Sequence, residues 1–326
     1  LPERETALVQ AAPSLSFEVA LAPPDLGPWR EGNTGVAGVT SYAAESPGPH
    51  AVLVALVHGN EFAGAIALKQ LLDAGLRPVC GRLTFVFANL AAFDRFDARN
   101  PTISRFADED FNRLWDPAVL ADGRHSYELA RARDLLPVVD SADYLLDLHS
   151  MLWPSDPLIL CGAPRKGCAL AARIGVPPLM VADSGHAAGR RLIDYKRFAG
   201  EGAAAAVLLE AGQHWQQETV ALSLAATGRL LRALGMVASD QGFPDIAPQT
   251  PRFARVTETI MPQTGNFSFV QPFRGGEVIA AAGTVIAMDG ETAIATKHDD
   301  CLLVMPSLRA SRGHTAVRLA RFICGE

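Results

Sequence analysis

Four side chains in this sequence stand where an apolar run gives way to polar residues. Their types are those that bind a cation and move a proton. Ala51–Val57 leads straight into His58-Gly59-Asn60-Glu61, Tyr144–Leu148 carries Asp147 and leads into His149, and Val207–Leu209 leads into Glu210. Read alone, His58 is equally a loop histidine, and Glu61 a first-turn carboxylate favoured by a helix dipole. Read together they are more specific. Residues i and i+3 at a helix start share a side, so the His58 imidazole and the Glu61 carboxylate can meet on one ion, with Gly59 allowing a tight turn. His149 adds a second imidazole. Asp147 falls two residues earlier on the same strand face, where a carboxylate could support that imidazole from behind. Asp147 could also be an ordinary buried carboxylate satisfied by backbone, although a carboxylate within an apolar strand is costly without a purpose. Two histidines and one carboxylate, with a fourth position left for water, form the ligand set of a catalytic zinc, one per chain. Zinc lowers the pKa of water to about 7. Glu210, which ends another apolar run, is the candidate general base, its alternative being a capping or surface glutamate.

These positions matter only if one scaffold brings them together. Ala51–Val57, Leu83–Ala88, Tyr144–Leu148, Leu158–Leu160 and Val207–Leu209 read as buried strands. Between them Phe62–Leu72, Ser126–Leu136 before Pro137, Gly167–Ile174 and Glu218–Leu234 carry helical periodicity. The alternation predicts an α/β fold, a mixed, mostly parallel sheet with helices on both faces, whose chemistry gathers at the carboxyl ends of the strands. After Pro244, Pro248 and Pro251 the helical period disappears. Short runs at Val278–Ala281, Thr284–Met288 and Leu302–Met305 between glycines predict a small all-β unit. The expected division is therefore 1–250, catalytic, and 251–326, a small β domain placed to cap the cleft.

Composition limits the classes. The 326 residues are 49% hydrophobic and 20% charged, enough for a sizeable core. A net charge of −6 with no basic block argues against nucleic acid and anionic membrane surfaces as partners. No apolar run approaches a membrane span, and Leu1–Ala20 lacks the order of a signal peptide. Cys80, Cys161, Cys168, Cys301 and Cys324 are scattered without a Cys-x-x-Cys pair, which favours a reducing cytoplasm over a disulfide framework.

Four motifs occur in order: His58-Gly59-Asn60-Glu61, Asp110-Phe111-Asn112-Arg113-Leu114-Trp115-Asp116, Asp147-Leu148-His149 and Glu210-Ala211-Gly212. Together they resemble the succinylglutamate desuccinylase/aspartoacylase family, which has the zinc-carboxypeptidase fold. Thr264-Gly265-Asn266-Phe267 and the glycine-rich run to Met305-Pro306 resemble that family's β-domain more loosely. The resemblance implies His58, Glu61 and His149 as zinc ligands and Glu210 as the base that later protonates the leaving amine. It also implies Arg105, seven residues before Asn112, as the group that polarises the scissile carbonyl, and Asn112 and Arg113 as the clamp on a substrate carboxylate. Without the motif, Arg105 and Arg113 would read as a solvated charged loop. The implied reaction is hydrolysis of the amide of a small carboxylate-bearing molecule such as an N-acyl amino acid. Two other readings stand beside it: a carboxypeptidase acting on peptides, and a binding or regulatory protein on an inactive hydrolase scaffold. A homo-oligomer is compatible with the sequence. Two positions depart from the family: no tyrosine follows Tyr195, and Asn89-Leu90 replaces the usual Asn-Pro. His125, His186, His214, His298 and His314 match no motif and read as surface or structural, while Arg190, Arg191 and Arg197 are candidates to reach the pocket.

Overall fold

The computed structural model describes residues 17–186, 188–238, 242–247 and 249–323. The first sixteen residues, Pro248 of the expected linker and Cys324 lie outside the described residues. The elements of the first part are β1 (Val39–Ala43), β2 (His50–Ala55), α1 (Ala63–Asp73), β3 (Arg82–Phe87), α2 (Leu90–Phe93), α3 (Pro117–Leu120), α4 (Tyr127–Ser141), β4 (Tyr144–Met151), β5 (Leu158–Gly162), α5 (Arg165–Ile174), β6 (Leu179–Ala182), α6 (Lys196–Ala199), β7 (Ala205–Gln213) and α7 (Gln217–Ala233). Strands alone follow: β8 (Arg252–Ile260), β9 (Phe267–Phe269), β10 (Val278–Ile279), β11 (Val285–Asp289), β12 (Thr292–Ala295), β13 (Cys301–Val304) and β14 (Val317–Ile323).

One mixed sheet of eleven strands carries the molecule, in the order β1-β3-β2-β4-β7-β5-β6-β8-β14-β13-β10, and β12-β11-β9 form a smaller antiparallel sheet. Strands β3, β2, β4 and β7 are mutually parallel. Residues within each strand alternate between two apolar layers, the period of two that a sheet covered on both faces requires. Leu53, Ala55, Leu146, Leu148, Val207 and Leu209 pack with α1, α5 and α7. Val52, Val54, Leu145, Ala206 and Leu208 pack with α4 and with Phe198 of α6 on the other face.

Several expectations are revised. The run Leu158–Leu160 is antiparallel to β7, so its amino end, not its carboxyl end, lies beside the chemistry: Leu158 pairs with Glu210. Strands β4 and β7 run on through His149 and Glu210 instead of stopping before them. Pro137 lies inside α4, not beyond it. Its exposed ring faces outward near the helix end, where the carbonyl it leaves unbonded can reach water. The strand β8 joins β6 in parallel, so the sheet crosses residue 250 without a break and enters the C-terminal segment directly. No helix of the described residues is long and apolar enough to cross a membrane.

Candidate active site

The site lies on the edge where β2, β4 and β7 end and β5 begins. After β2 the chain turns at Leu56, which has φ +60°, and presents His58 and Glu61 from a short turn closed by the Glu61 N–H donating to the His58 carbonyl. These two residues precede α1, whose N-cap is Phe62, so the turn and not the helix face aligns them. Gly59 is needed there for space. A Cβ on it would come within 2.4 Å of Ala92 C and Phe93 N and 2.5 Å of Ser104 O, all backbone atoms. The Gly59 N–H also donates to the Arg105 carbonyl at 3.0 Å, tying the ligand turn to the arginine.

His58, Glu61 and His149 converge, with one donor atom from each lying within 4.8 Å of the others, and all three are buried. The Nδ1 atoms of both imidazoles face the Glu61 carboxylate, at 2.7 Å from His58 and 3.0 Å from His149, and the Ser150 N–H donates to the same carboxylate at 3.1 Å. Each imidazole has a carboxylate at its other nitrogen: Asp110 is hydrogen-bonded to His58 Nε2 at 3.1 Å, and Asp147 lies 2.9 Å from His149 Nε2 but out of line for a hydrogen bond. That is the arrangement in which metal-bound imidazoles are held, so the donor set fits a tetrahedral cation such as zinc. Asp147 is fully buried between β2 and β7, where Val54 and Leu208 are its register partners.

Charge in this cluster is set by neighbours. Burial opposes ionisation of Glu61, yet the two imidazoles beside it hold its carboxyl well below the usual range. Burial likewise opposes charge on His149, but Asp147 and Glu61 outweigh it and raise the imidazole well above its ordinary value. Glu210 faces His149 across the β4–β7 ladder, and burial together with the nearby Glu61 charge pushes its carboxyl up to about 8. Its Oε2 has no partner among the described residues.

Arg105 donates to Glu61 Oε1 at 3.0 Å and contacts His58 Nε2 at 2.9 Å. The stretch after it is anchored by Glu128, in the first turn of α4. This carboxylate accepts from the N–H groups of Ala107, Asp108 and Glu109 and from the Asn89 side chain. Asp110 then caps the turn Phe111–Arg113. Asn112 spends its Oδ1 on the Leu192 N–H at 2.8 Å, leaving its amino group for the cavity. Arg113 donates to the Asn112 carbonyl, and its other terminal nitrogen stands 3.8 Å from Asp110.

His58, Glu61, Arg105, Asp110, Asn112, Arg113, His149 and Glu210 line a cavity of about 330 Å³, while Asp147 and Glu128 stand behind it. Met305, Pro306, Thr315 and Arg318 form a wall of it, so the C-terminal segment closes the cleft on one side. The structure also adds residues that the motifs did not single out. His214 lines the cavity, buried, with Nδ1 at 2.7 Å from Ser150 Oγ, and burial lowers its pKa to about 4. His186 lines the cavity as well, half-buried, which corrects its reading as a surface or structural residue; His314 also borders the cavity but is exposed, as a surface residue is, while His125 is exposed and His298 bonds Thr257. Of the three arginines proposed to reach the pocket, Arg191 does, held by Asp183 and Asp194. Arg190 pairs with Asp116, and Arg197 donates to the Ala142 carbonyl instead. The signal for His214 was present, since it falls four residues after Glu210, but β7 had to run on past Glu210 to bring it there.

Known proteins share this fold. Solved structures of succinylglutamate desuccinylase from Vibrio cholerae (TM-score 0.67, 21% identity, 87% of this chain and 85% of that one) and from Vibrio parahaemolyticus (0.66, 19%, 88% and 87%) share the fold. So does a succinylglutamate desuccinylase/aspartoacylase from Rhodobacter sphaeroides (0.65, 20%, 88% and 89%). No curated protein matches the chain significantly. The model of the succinylglutamate desuccinylase/aspartoacylase catalytic domain matches residues 47–234, more than half of the sequence. That match spans the ligand turn, the arginine stretch, His149 and Glu210, and with it this chain belongs to the succinylglutamate desuccinylase/aspartoacylase family of deacylase hydrolases.

Proposed function

We propose that this chain is a zinc-dependent amidohydrolase that removes the acyl group from a small N-acyl amino acid or a related amide bearing a free carboxylate. The observation that carries the reading is Glu210. It is a buried carboxylate with an unpartnered oxygen, beside a three-donor cluster and opening on the same cavity. His58, Glu61 and His149 would hold the ion, whose Lewis acidity makes a water nucleophilic near neutral pH. Glu210 would accept a proton from the attacking water and return it to the departing amine, a task suited to a buried carboxylate that opens on the cavity. When Nδ1 of His58 is a ligand, its Nε2 keeps a proton for Asp110 and has no lone pair for Arg105. The Arg105 nitrogen that is not bonded to Glu61 is then free to face the scissile carbonyl, where a fixed cation is worth on the order of 3 kcal/mol as the oxyanion develops. Asn112 and Arg113 would grip the carboxylate, a role suited to the planar fork of arginine.

Action on peptides is the second reading, and the wall from Met305 to Arg318 favours small substrates over long chains. The test uses zinc-loaded protein, N-acyl amino acids, their carboxamide analogues and a pentapeptide. Hydrolysis of the acids, with carboxamides and peptide cleaved poorly, is the expected outcome. His149→Ala should lose most of the zinc found by elemental analysis in the parent. Full zinc content in that variant would overturn the ligand assignment, and equal rates on acid and carboxamide would overturn the carboxylate clamp.

A further inference from the structure

Arg318 lies on β14, in register between Val304 of β13 and Thr259 of β8, and is only 8% exposed. A buried guanidinium is expected to have its donors filled, because an unpaired buried charge is among the costliest features a fold can carry. This one does not. Its Nε has no hydrogen-bond partner among the described residues. Its nearest carboxylate, Asp183, is 3.8 Å away. Both oxygens of Asp183 are already taken by the two terminal nitrogens of Arg191, at 2.6 and 2.9 Å. Arg318 nonetheless lines the cavity with Arg113, His186 and Glu210.

The second observation concerns Arg113. Among the described residues its guanidinium makes one hydrogen bond, to the Asn112 carbonyl, and otherwise stands 3.8 Å from Asp110. Arg113 and Arg318 lie near enough for each to be felt at the same groups. Burial, and then the charges of Arg105, Arg191 and Arg318, overcome Asp110 and push Arg113 down to about 10. Burial and the charges of Arg113, Arg318 and Arg191 likewise lower the neighbouring His186 to about 4. Two under-bonded guanidiniums, from chain positions about two hundred residues apart, thus line one cavity, in which Arg105 stands beside Arg113 at Asp110.

We propose that Arg318 is a substrate-binding residue that completes, with Arg113, a two-arginine seat for the substrate carboxylate. The inference rests on the carboxylate-bearing substrate proposed above and adds a residue from the C-terminal strands to its recognition. A carboxylate offers about four lone-pair positions on two oxygens, enough to accept from both guanidiniums at once. Bound there, it accepts from the terminal nitrogens of both guanidiniums and offsets the repulsion between the two cations, that of Arg318 being poorly matched by Asp183 at 3.8 Å from its Nε.

The test measures binding by calorimetry, with N-acetylglycine and its carboxamide as probes. The protein is zinc-loaded and carries Glu210→Gln, so that neither probe turns over. The parent should bind the acid at least about tenfold more tightly than the amide, the scale of one charge-assisted hydrogen bond. Arg318→Met should erase most of that preference and leave the affinity for the amide unchanged. Arg318→Lys, which keeps the charge but loses the fork, should retain part of it. Melting curves supply a readout that separates binding from architecture. Removing an open cation should leave the melting temperature of the probe-free protein unchanged or higher, and the acid should no longer raise it. A lower melting temperature with the acid preference intact would make Arg318 a structural counter-ion to Asp183 and overturn the proposal. If Arg318→Met does not fold, an undiminished preference in Arg318→Lys overturns it equally. A parent with no preference for the acid would overturn the carboxylate reading itself, a result separable from failure of Arg318 alone.

Discussion

Glu128 offers a quantitative check on how the site is held, because it touches no substrate-facing atom of the cluster. Its Oε1 accepts from the Asn89 amide at 2.9 Å and the Ala107 N–H at 2.5 Å, and its Oε2 accepts from the N–H groups of Asp108 and Glu109 at 3.0 and 3.2 Å. Glu128→Gln is nearly isosteric. With the amide oxygen in the Oε1 position, its NH2 would confront two N–H donors, so two bonds to a charged acceptor are lost. Each is worth about 1.5–3 kcal/mol, giving about 3–6 kcal/mol before relaxation. Asp108 is exposed and Glu109 half-buried, so water can recover part of this, leaving about 2–4 kcal/mol. Hydrogen exchange reads that directly: the amides of residues 107–109 should exchange roughly 30- to 700-fold faster, while those of β2 and β4 hold. Arg105 and Asp110 flank the loosened stretch, so turnover should fall about tenfold or more through misplacement of the guanidinium. Unchanged protection at 107–109 in a folded variant would refute the claim that this carboxylate holds the loop.

Two further predictions follow from the same geometry. In metal-free protein the Glu210 carboxyl, raised to about 8 from 4.5, keeps a proton that the unfolded chain has lost, so it lowers stability as pH rises through that window. Wild type should therefore lose more stability than Glu210→Gln between pH 5 and 8 under chelator, and zinc should shrink the difference; parallel melting curves would refute this, and turnover in the variant should fall about 100-fold. Gly59→Ala places a methyl within 2.5 Å of three backbone atoms, so it should displace the ligand turn, reducing both melting temperature and zinc content measured by elemental analysis; wild-type values for both would show that the turn can yield.

The cluster was legible because each of its members adjoins a strand whose apolar run is continuous, and such runs are buried wherever the chain goes. His58, Glu61, Asp147, His149 and Glu210 were therefore readable as polar groups set among buried strands before any contact was known. Their convergence follows from β2, β4 and β7 being parallel neighbours, which places all three carboxyl ends on one edge. The direction of β5 was not readable. A short apolar run looks the same whether it pairs parallel or antiparallel, and only the path of the chain between Met151 and Leu158 decides it. The supports of the site were hidden for a related reason. Glu128 is an ordinary first-turn glutamate by position, and only the fold lays three amide donors against it. Arg318 sits in a strand whose neighbours pair 14 and about 60 residues away, so no local pattern connects it to Arg113. Burial and periodicity are properties of a segment and survive in the sequence. Which charge is left without a partner depends on what every other segment brings to the same cavity, and that is decided only by the tertiary structure.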